Sequence, residues 1–173
     1  MTKLHTIGHS TRSPDEFLAI LKAFGIELVA DIRTVPRSRR NPQYDQDSLK
    51  HLLEEHRLGY VHLPALGGLR RPKKDSSNLG WMNESFRGYA DYMQTAEFAA
   101  AIDDLIARAA ASSTVIMCAE AVPWRCHRSL VGDALLVRGI QVEDIMSQKS
   151  GKPHMLTPWA RVEGLHVTYP RPG

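Results

Sequence analysis

The sequence predicts a single α/β domain with a mostly parallel sheet, because helical patterns and short apolar strands alternate along the chain. Three junctions share one design, in which a helical pattern stops at a glycine and an apolar strand follows. The glycines are Gly25, Gly59 and Gly139. Glycine suits this position because helices commonly end through a left-handed residue. We expect a core over residues 4–145 and a C-terminal extension over residues 146–173.

The first part of the chain begins with a strand over residues 4–7, and a helix follows. Ser13 can cap the first turn of this helix, and Pro14 suits its first position. Glu16 can reach back to complete a capping box. The first glycine junction then leads into a strand over residues 26–32.

The middle of the chain contains a second helix over residues 47–57, a strand over 59–63 and a long loop over 64–85 that is rich in proline and glycine. Loops of this length are uncommon in compact domains unless they cover or form a binding site. A third helix starts near Ser85, and a fourth covers residues 96–111.

The last part of the core has a short β-branched strand over residues 114–118, which we expect to be central and buried. A helix over residues 126–138 and the strand after the third glycine follow it. In the extension, Thr157-Pro158 can open one short helix, and residues 166–169 can form an edge strand.

The net charge is +3, and many of the basic residues lie in two stretches, which we call the basic loops. Such clusters favour anionic partners, either a small phosphate-bearing molecule or nucleic acid. The alternative is that both are ordinary solvated loops. The first basic loop contains Arg33, Arg37, Arg39 and Arg40, and the second contains Arg70, Arg71, Lys73 and Lys74.

No segment has the roughly 18 consecutive apolar residues of a membrane helix, so we expect no membrane partner. The first residues lack the apolar run of a signal peptide, which favours a cytoplasmic location. Cys118 and Cys126 stay reduced in that compartment, and a structural disulfide is not expected. The sequence leaves the cofactor and the oligomeric state open.

Polar residues gather where three predicted strands end, and ligands bind outside the carboxyl ends of the strands in an open parallel sheet. The start of the helix after the third of these strands adds further polar groups. The candidate residues are His9, Ser10, Asp31, Arg33, Cys118, Glu120, Cys126, His127 and Arg128.

The two cysteines invite different interpretations. Cys126 lies at a predicted helix N-terminus, where free N–H groups and the helix dipole stabilise a thiolate. It is therefore either a low-pKa thiol beside His127 or merely a packed residue. Cys118 ends a buried strand, and a small core residue is its simpler role. A strand, a cysteine, a loop and Arg125 are also typical of phosphatases and sulfurtransferases, although this loop is one residue longer than in phosphatases.

The carboxylates also have two interpretations each. Asp31 and Arg33 alternate along one strand, so their side chains share a face. They form either a structural ion pair or a site in which Asp31 is a base or ribose ligand and Arg33 binds phosphate. Glu120 is either a general acid–base group or a helix-capping partner.

A zinc site made of Cys118, Cys126, His127 and His9 is a weaker alternative, because zinc ligands usually come in closer pairs. Adjacent residues of a helix would also have difficulty reaching one ion, so we expect no metal. The sequence contains no Walker motif, Rossmann glycine fingerprint, G-x-S-x-G elbow or H-E-x-x-H motif.

Several short blocks follow one another in a distinctive order: Thr6-Ile7-Gly8-His9-Ser10, Asp31-Ile32-Arg33 with Pro36 and Ser38, Leu66-Gly67-Gly68, Cys118-x-Glu120, and Cys126-His127-Arg128. Over about residues 4–145 these blocks resemble domain-of-unknown-function family 488, and the Cys-x-Glu and Cys-His-Arg pair is their most specific part. The resemblance implies a Rossmann-like, three-layer α/β domain with about five strands and helices on both faces. It implies no reaction.

These observations support three hypotheses. The first is an enzyme, a hydrolase or a transferase, that binds a phosphate-bearing ligand such as a nucleotide or nucleic acid. The second is a thiol-dependent enzyme, sulfurtransferase-like or redox, that uses one of the cysteines. The third is a non-catalytic module that binds nucleic acid through the basic loops. The first hypothesis assigns chemistry to Asp31, Glu120, Cys126 and His127, and ligand contacts to His9, Ser10, Arg33, Arg37, Cys118 and Arg128.

Overall fold

The structure is a computed structural model that describes residues 2–172. Within that range the chain forms five α-helices and eight β-strands. None of these helices has the length and apolar content of a membrane-spanning segment. The helices are α1 (Pro14–Ala23), α2 (Gln46–Glu55), α3 (Glu84–Tyr92), α4 (Ala96–Ala111) and α5 (Arg128–Leu136). The strands are β1 (Lys3–Gly8), β2 (Leu28–Asp31), β3 (Gly59–His62), β4 (Thr114–Cys118), β5 (Gln141–Ser147), β6 (Ser150–Pro153), β7 (Arg161–Glu163) and β8 (His166–Thr168).

The main sheet of the described residues has six strands in the order β3-β2-β4-β1-β5-β6. The first five run parallel to one another, and β6 is antiparallel to β5. This confirms the predicted α/β class with a mostly parallel sheet, but the sheet has one strand more than expected. The additional strand is β6, which lies in the segment that the sequence places outside the core.

Apolar side chains cover both faces of the sheet, because successive residues of a strand point to opposite sides. On β4, Val115 and Met117 belong to one hydrophobic cluster, and Ile116 and Cys118 belong to the other. Helices α1 and α2 contribute to the first cluster, and α3, α4 and α5 contribute to the second. Burial of each such aliphatic side chain contributes about 1.5–3 kcal/mol, which explains the continuous apolar sequence of β4.

The start of α1 follows the predicted capping signal. The Ser13 hydroxyl accepts a hydrogen bond from the Glu16 amide at 3.1 Å, and Pro14 takes the first helical position. The Glu16 carboxylate lies 3.9 Å from Arg12 instead of completing a capping box.

Helix α5 begins two residues later than expected, at Arg128 rather than at Cys126. The chain reaches it through a short 3-10 turn, Pro123–Arg125, after which Cys126 is extended. His127 occupies the N-cap position without a side-chain capping bond. Cys126 therefore precedes the helix instead of lying in its first turn.

The C-terminal segment packs on the core. Strands β7 and β8 form a small antiparallel sheet, so the strand expected at residues 166–169 exists but pairs outside the main sheet. The short helix expected at Thr157-Pro158 is wrong, because the chain makes only a turn there. The Thr157 amide donates a hydrogen bond to the buried Asp133 carboxylate at 3.2 Å, which holds this stretch against α5.

Candidate functional site

A cleft of about 460 Å³ opens at the carboxyl ends of β2 and β4. Its walls are the segment after β2, the loop between β4 and α5, and part of the long loop together with the start of α3. Residues that are distant in sequence therefore share one cavity, which we call the thiol cleft. The predicted site residues that line it are Arg33, Arg37, Cys118, Glu120, Cys126 and His127.

Cys118, the last residue of β4, has the most unusual environment in the thiol cleft. Arg128 donates a hydrogen bond from Nη1 to Cys118 Sγ at 2.9 Å. Burial raises the pKa of Cys118, but a hydrogen bond from Cys126 and the charge of Arg128 outweigh it and lower the pKa to about 7. A substantial fraction of this thiol is therefore ionised near neutral pH, and the thiolate is the nucleophilic form.

Of the two interpretations of Cys126, the structure favours the packed residue over the low-pKa thiol. Burial and the neighbouring Cys118 raise the pKa of Cys126 well above its ordinary value. The helix N-terminus that should stabilise a thiolate begins only at Arg128, after this residue. Cys126 therefore keeps its proton near neutral pH, and its sulfur accepts a hydrogen bond from the Arg128 amide at 3.5 Å.

His127 lies between the end of β2 and the thiol cleft. Its Nε2 is 3.0 Å from the carbonyl oxygen of Ile32, so Nε2 carries the proton and donates it. Burial lowers the pKa of His127 to about 4, and the ring is neutral at physiological pH. The unprotonated Nδ1 lies 3.5 Å from Cys126 Sγ, where it can accept a hydrogen bond from the thiol. Gly68 packs against this ring, since a Cβ there would lie 3.2 Å from Nδ1.

Arg128 is fully buried beneath the loop between β4 and α5. Besides Cys118, its terminal nitrogens donate to the carbonyl oxygens of Glu120 at 2.6 Å and Ala121 at 3.1 Å. Gly8 of β1 permits this close approach, because a Cβ there would overlap the Glu120 carbonyl group. Arg128 therefore fixes the loop and the Cys118 sulfur from below, and it does not line the cleft.

Asp31 and Arg33 form a buried ion pair. Arg33 donates to both carboxylate oxygens of Asp31, at 2.9 and 2.7 Å. The Tyr60 hydroxyl donates to the same carboxylate at 2.7 Å, and Arg33 also reaches the Tyr44 carbonyl at 2.8 Å. Asp31 has no exposed surface, whereas Arg33 borders the cleft. These contacts are those of the structural ion pair considered above.

His9 and Ser10 follow β1 and are tied to the loop after β4. Their amides donate to the carbonyl oxygens of Cys118 and Ala119, both at 2.9 Å. The His9 ring is buried and stacks on Tyr44 with a centroid distance of 4.2 Å. Ser10 has a φ of 49°, which is uncommon for a residue other than glycine. The structure thus brings both residues to the edge of the site, but not to the lining of the cleft.

The rim of the thiol cleft is basic. Arg37 and Arg125 line it and are exposed, together with the carboxylate-bearing Glu120. The Thr34 hydroxyl donates to the Gly68 carbonyl at 2.8 Å, which joins the segments that carry the two basic loops. An anionic ligand would therefore meet more positive than negative charge at this rim.

The long loop before α3 forms one wall of the thiol cleft. Its length alone indicated a binding role, and no local sequence pattern indicated which of its residues would line the cleft. Asp91 on α3 fixes this loop. Its carboxylate accepts hydrogen bonds from the Lys73 amide at 2.8 Å and from the Ser76 and Asn78 side chains at 2.7 Å. The lining residues that sequence reasoning missed are Thr34, Val35, Leu69, Ser85 and Phe86.

Within residues 2–172, no group of three or more histidine, cysteine, aspartate or glutamate side chains is placed to hold a metal ion. The four residues of the zinc alternative therefore do not converge as a ligand set. The groups available to the chemistry of the thiol cleft are a thiolate, a thiol, a neutral imidazole, the Glu120 carboxylate and several guanidinium groups.

The family described as Domain of unknown function DUF488 matches residues 13–135. This range contains the sequence blocks from Asp31 to Arg128, whereas the block at residues 6–10 precedes it. No curated protein and no solved structure is detectably similar to the chain. Because the matched range covers more than half of the residues, the chain belongs to the DUF488 family.

Proposed function

We propose that the chain is a thiol-dependent enzyme in which Cys118 is the nucleophile and Cys126 is the second thiol. The observation that carries this proposal is the 2.9 Å contact between Arg128 Nη1 and Cys118 Sγ at the end of a central strand. A guanidinium at this distance favours the thiolate, and its burial keeps it in place. We also propose that the fold is Rossmann-like with three layers, since helices contribute to the hydrophobic clusters on both faces of the sheet.

Two adjacent thiols suit attack on a sulfur–sulfur bond. The Cys118 thiolate attacks one sulfur of a disulfide substrate, a Cys118–substrate disulfide forms, and the other half of the substrate leaves as a thiolate. Cys126 then attacks Cys118 Sγ, a Cys118–Cys126 disulfide forms, and the second half of the substrate leaves with the Cys126 proton as a thiol. The substrate gains two electrons and the cysteine pair loses two. An external dithiol then reduces the Cys118–Cys126 disulfide and completes the cycle.

The charged residues take two kinds of role in this proposal. Arg37 and Arg125, exposed at the rim, favour a substrate that carries anionic groups. Arg128 is a positioning residue for the thiolate, and Asp31 is a positioning residue for Arg33. Direct contact of Asp31 with a substrate would require its ion pair to open, which is costly for a buried carboxylate.

Binding of a phosphate-bearing ligand, a nucleotide or nucleic acid, is a second candidate function, supported by the basic rim. A phosphatase-type mechanism would bind the phosphate through Arg125, which is exposed at the rim, but the loop from Cys118 to Arg125 is one residue longer than in phosphatases. Non-catalytic binding of nucleic acid through the basic loops would weaken steeply as salt is added. Retention of a single-stranded oligonucleotide at low salt and its release at high salt would support this candidate.

The thiol proposal is tested with a chromogenic aromatic disulfide that carries a carboxylate on each ring. We expect the wild-type chain to release two chromogenic thiolates rapidly, because Cys126 resolves the first mixed disulfide. Cys126→Ser should release one and retain the other half on Cys118, which mass spectrometry of the labelled peptide detects. Cys118→Ser should lose the rapid phase. The rate of the first step should rise with pH around about 7, where Cys118 ionises.

The charge of the substrate provides the matched control. The basic rim should accelerate the reaction of a neutral dipyridyl disulfide less than that of the carboxylated disulfide. The double variant Arg37→Gln with Arg125→Gln, which changes two exposed residues, should reduce the difference between the two reaction rates. Circular dichroism checks that each variant is folded. Equal rapid release from Cys118→Ser and the wild type would exclude Cys118 as the nucleophile, as would a first step that rises only at the pH of an ordinary thiol, about 8.5.

A further inference from the structure

A second cavity, of about 380 Å³, borders the same loop between β4 and α5. The three tryptophans of the chain, Trp81, Trp124 and Trp159, line it, and we call it the tryptophan cleft. They come from the long loop, from the loop after β4 and from the C-terminal segment. Trp81 and Trp159 pack edge to face with a centroid distance of 4.9 Å. The thiol chemistry proposed above uses none of these side chains.

The walls of the tryptophan cleft offer aromatic carbon. The indole Nε1 atoms of Trp81 and Trp159 are buried and have no hydrogen-bond partner among the described residues, so the surfaces that these rings expose are carbon faces and edges. Trp124 stands on the neighbouring loop and is 64% exposed. Flat rings stack on such side chains, and each stacked base contributes about 1–3 kcal/mol in proteins that bind single strands.

The charges of the lining decide between a cationic and an anionic ligand. The Asp144 carboxylate is engaged by His154 at 3.0 Å and by the Thr6 hydroxyl at 2.6 Å. Burial lowers the pKa of His154, but the carboxylates of Asp133 and Asp144 outweigh it and raise the pKa to about 9, so the ring is a cation. Lys152, which is exposed, is the other cation of the lining.

Asp133 and Asp144 both contact His154 and offset its charge, so Lys152 is the lining cation that is left to meet a ligand. A lysine in this position would repel the quaternary ammonium ligands that aromatic cages bind. A ligand that combines a flat ring with an anionic group fits both the aromatic walls and Lys152. The volume lies within the range of about 300–1,000 Å³ that is usual for small-molecule sites.

We propose that the tryptophan cleft binds a nucleotide, with the base stacked on the indole rings and the phosphate held by Lys152. This site is independent of the thiol chemistry, because it uses different residues and a different cavity. The two cavities nevertheless share one loop, in which Trp124 lines the tryptophan cleft and Arg125 lines the thiol cleft.

Intrinsic fluorescence tests the proposal directly, because every tryptophan of the chain lines the cleft and reports on its occupancy. The wild-type chain is titrated with adenosine monophosphate, with excitation at the red edge of the tryptophan band, where adenine does not absorb. We expect saturable quenching by adenosine monophosphate, weaker binding of adenosine, and no response to inorganic phosphate or to tetramethylammonium.

Variants of exposed residues separate the two parts of the ligand. Trp124→Ala should lower the affinity for adenosine monophosphate about tenfold, which is the loss expected for one stacked base. Lys152→Gln should lower the affinity for the nucleotide roughly fivefold, as expected for the loss of an exposed charge pair, and leave the affinity for adenosine unchanged. Lys149→Gln, an exposed lysine in the β5–β6 turn that does not line the cleft, is the matched control and should change nothing.

The outcomes are distinct from those of the thiol experiment. Cys118→Ser should bind adenosine monophosphate like the wild type, whatever its reaction with disulfides. The proposal is overturned by a lack of saturable quenching with the nucleotide, by unchanged affinity in Trp124→Ala, or by equal effects of Lys152→Gln and Lys149→Gln. Tighter binding of tetramethylammonium than of adenosine monophosphate would assign the cleft to a cation instead.

Discussion

The substitution His154→Gln tests a buried charge network that ties the C-terminal segment to the sheet. His154 lies between two carboxylates, with Nε2 at 3.0 Å from Asp133 Oδ1 and Nδ1 at 3.0 Å from Asp144 Oδ2. Its side chain is 6% exposed. Tyr169 donates its hydroxyl to Asp133 at 2.8 Å, and Thr6 donates to Asp144 at 2.6 Å. The network therefore joins β1, β5, α5 and the chain beyond β6.

The size of the effect follows from proton linkage. The pKa of His154 rises from 6.5 to about 9 on folding, because the two carboxylates outweigh the effect of burial. A gap of this size corresponds to about 3 kcal/mol of stabilisation. Since the folded-state pKa is the higher one, this stabilisation is complete below pH 6.5 and declines as the pH rises to about 9. Glutamine does not titrate, so the variant lacks this dependence.

The assay is urea unfolding of both proteins at several pH values between about 6 and 9.5, the interval in which the linkage acts. The pKa of Cys118 is lowered on folding, so its contribution to stability rises with pH in the same interval and opposes that of His154. Subtracting the variant from the wild type removes the Cys118 contribution. We expect the difference in the free energy of unfolding between the wild type and His154→Gln to shrink by about 3 kcal/mol from the low to the high end of this pH interval. A difference that is constant, or that grows with pH, would refute a charged His154 in the folded state.

Two further predictions concern folding. Gly8→Ala should cost about 3 kcal/mol or more in the free energy of unfolding, because its Cβ would overlap the Glu120 carbonyl. Gly139→Ala, where φ is +78° and nothing lies within 4 Å of the new Cβ, should cost only about 1–2 kcal/mol, and equal losses would contradict the steric explanation. Asp31→Ala should lower the free energy of unfolding by roughly 3–5 kcal/mol, because it leaves the Arg33 charge buried without its partner. A variant as stable as the wild type in urea would show that the ion pair is dispensable.

The parts of the fold that the sequence predicted are those specified by local patterns. Ser13 and Pro14 define a helix start through short-range hydrogen bonding, and the run at residues 114–118 is apolar because both of its sides are buried. Strand β6 carries no such signal, since Ser150, Gly151, Lys152 and Pro153 show no apolar alternation. Its conformation is imposed by pairing with β5, a contact that no local pattern encodes.

The same distinction applies to the thiol cleft. The rule that places ligands at the carboxyl ends of strands needs only the order of elements, and the residues it selected largely share a cavity. Which thiol is ionised depends instead on the direction in which the Arg128 side chain extends. Helix position favoured Cys126, but Arg128 extends back to Cys118, ten residues earlier. Rotamers and burial decide this, and neither can be read from spacing.

The position of β1 has a consequence for dissecting this protein. The strand lies between β4 and β5 in the middle of the sheet, yet its residues, Lys3–Gly8, precede the range that matches the family, residues 13–135. A fragment trimmed to that range would expose the backbone edge of β4. It would also lack the side chains that β1 contributes to both hydrophobic clusters. We therefore expect a fragment that folds cooperatively to include residues on either side of the range that matches the family.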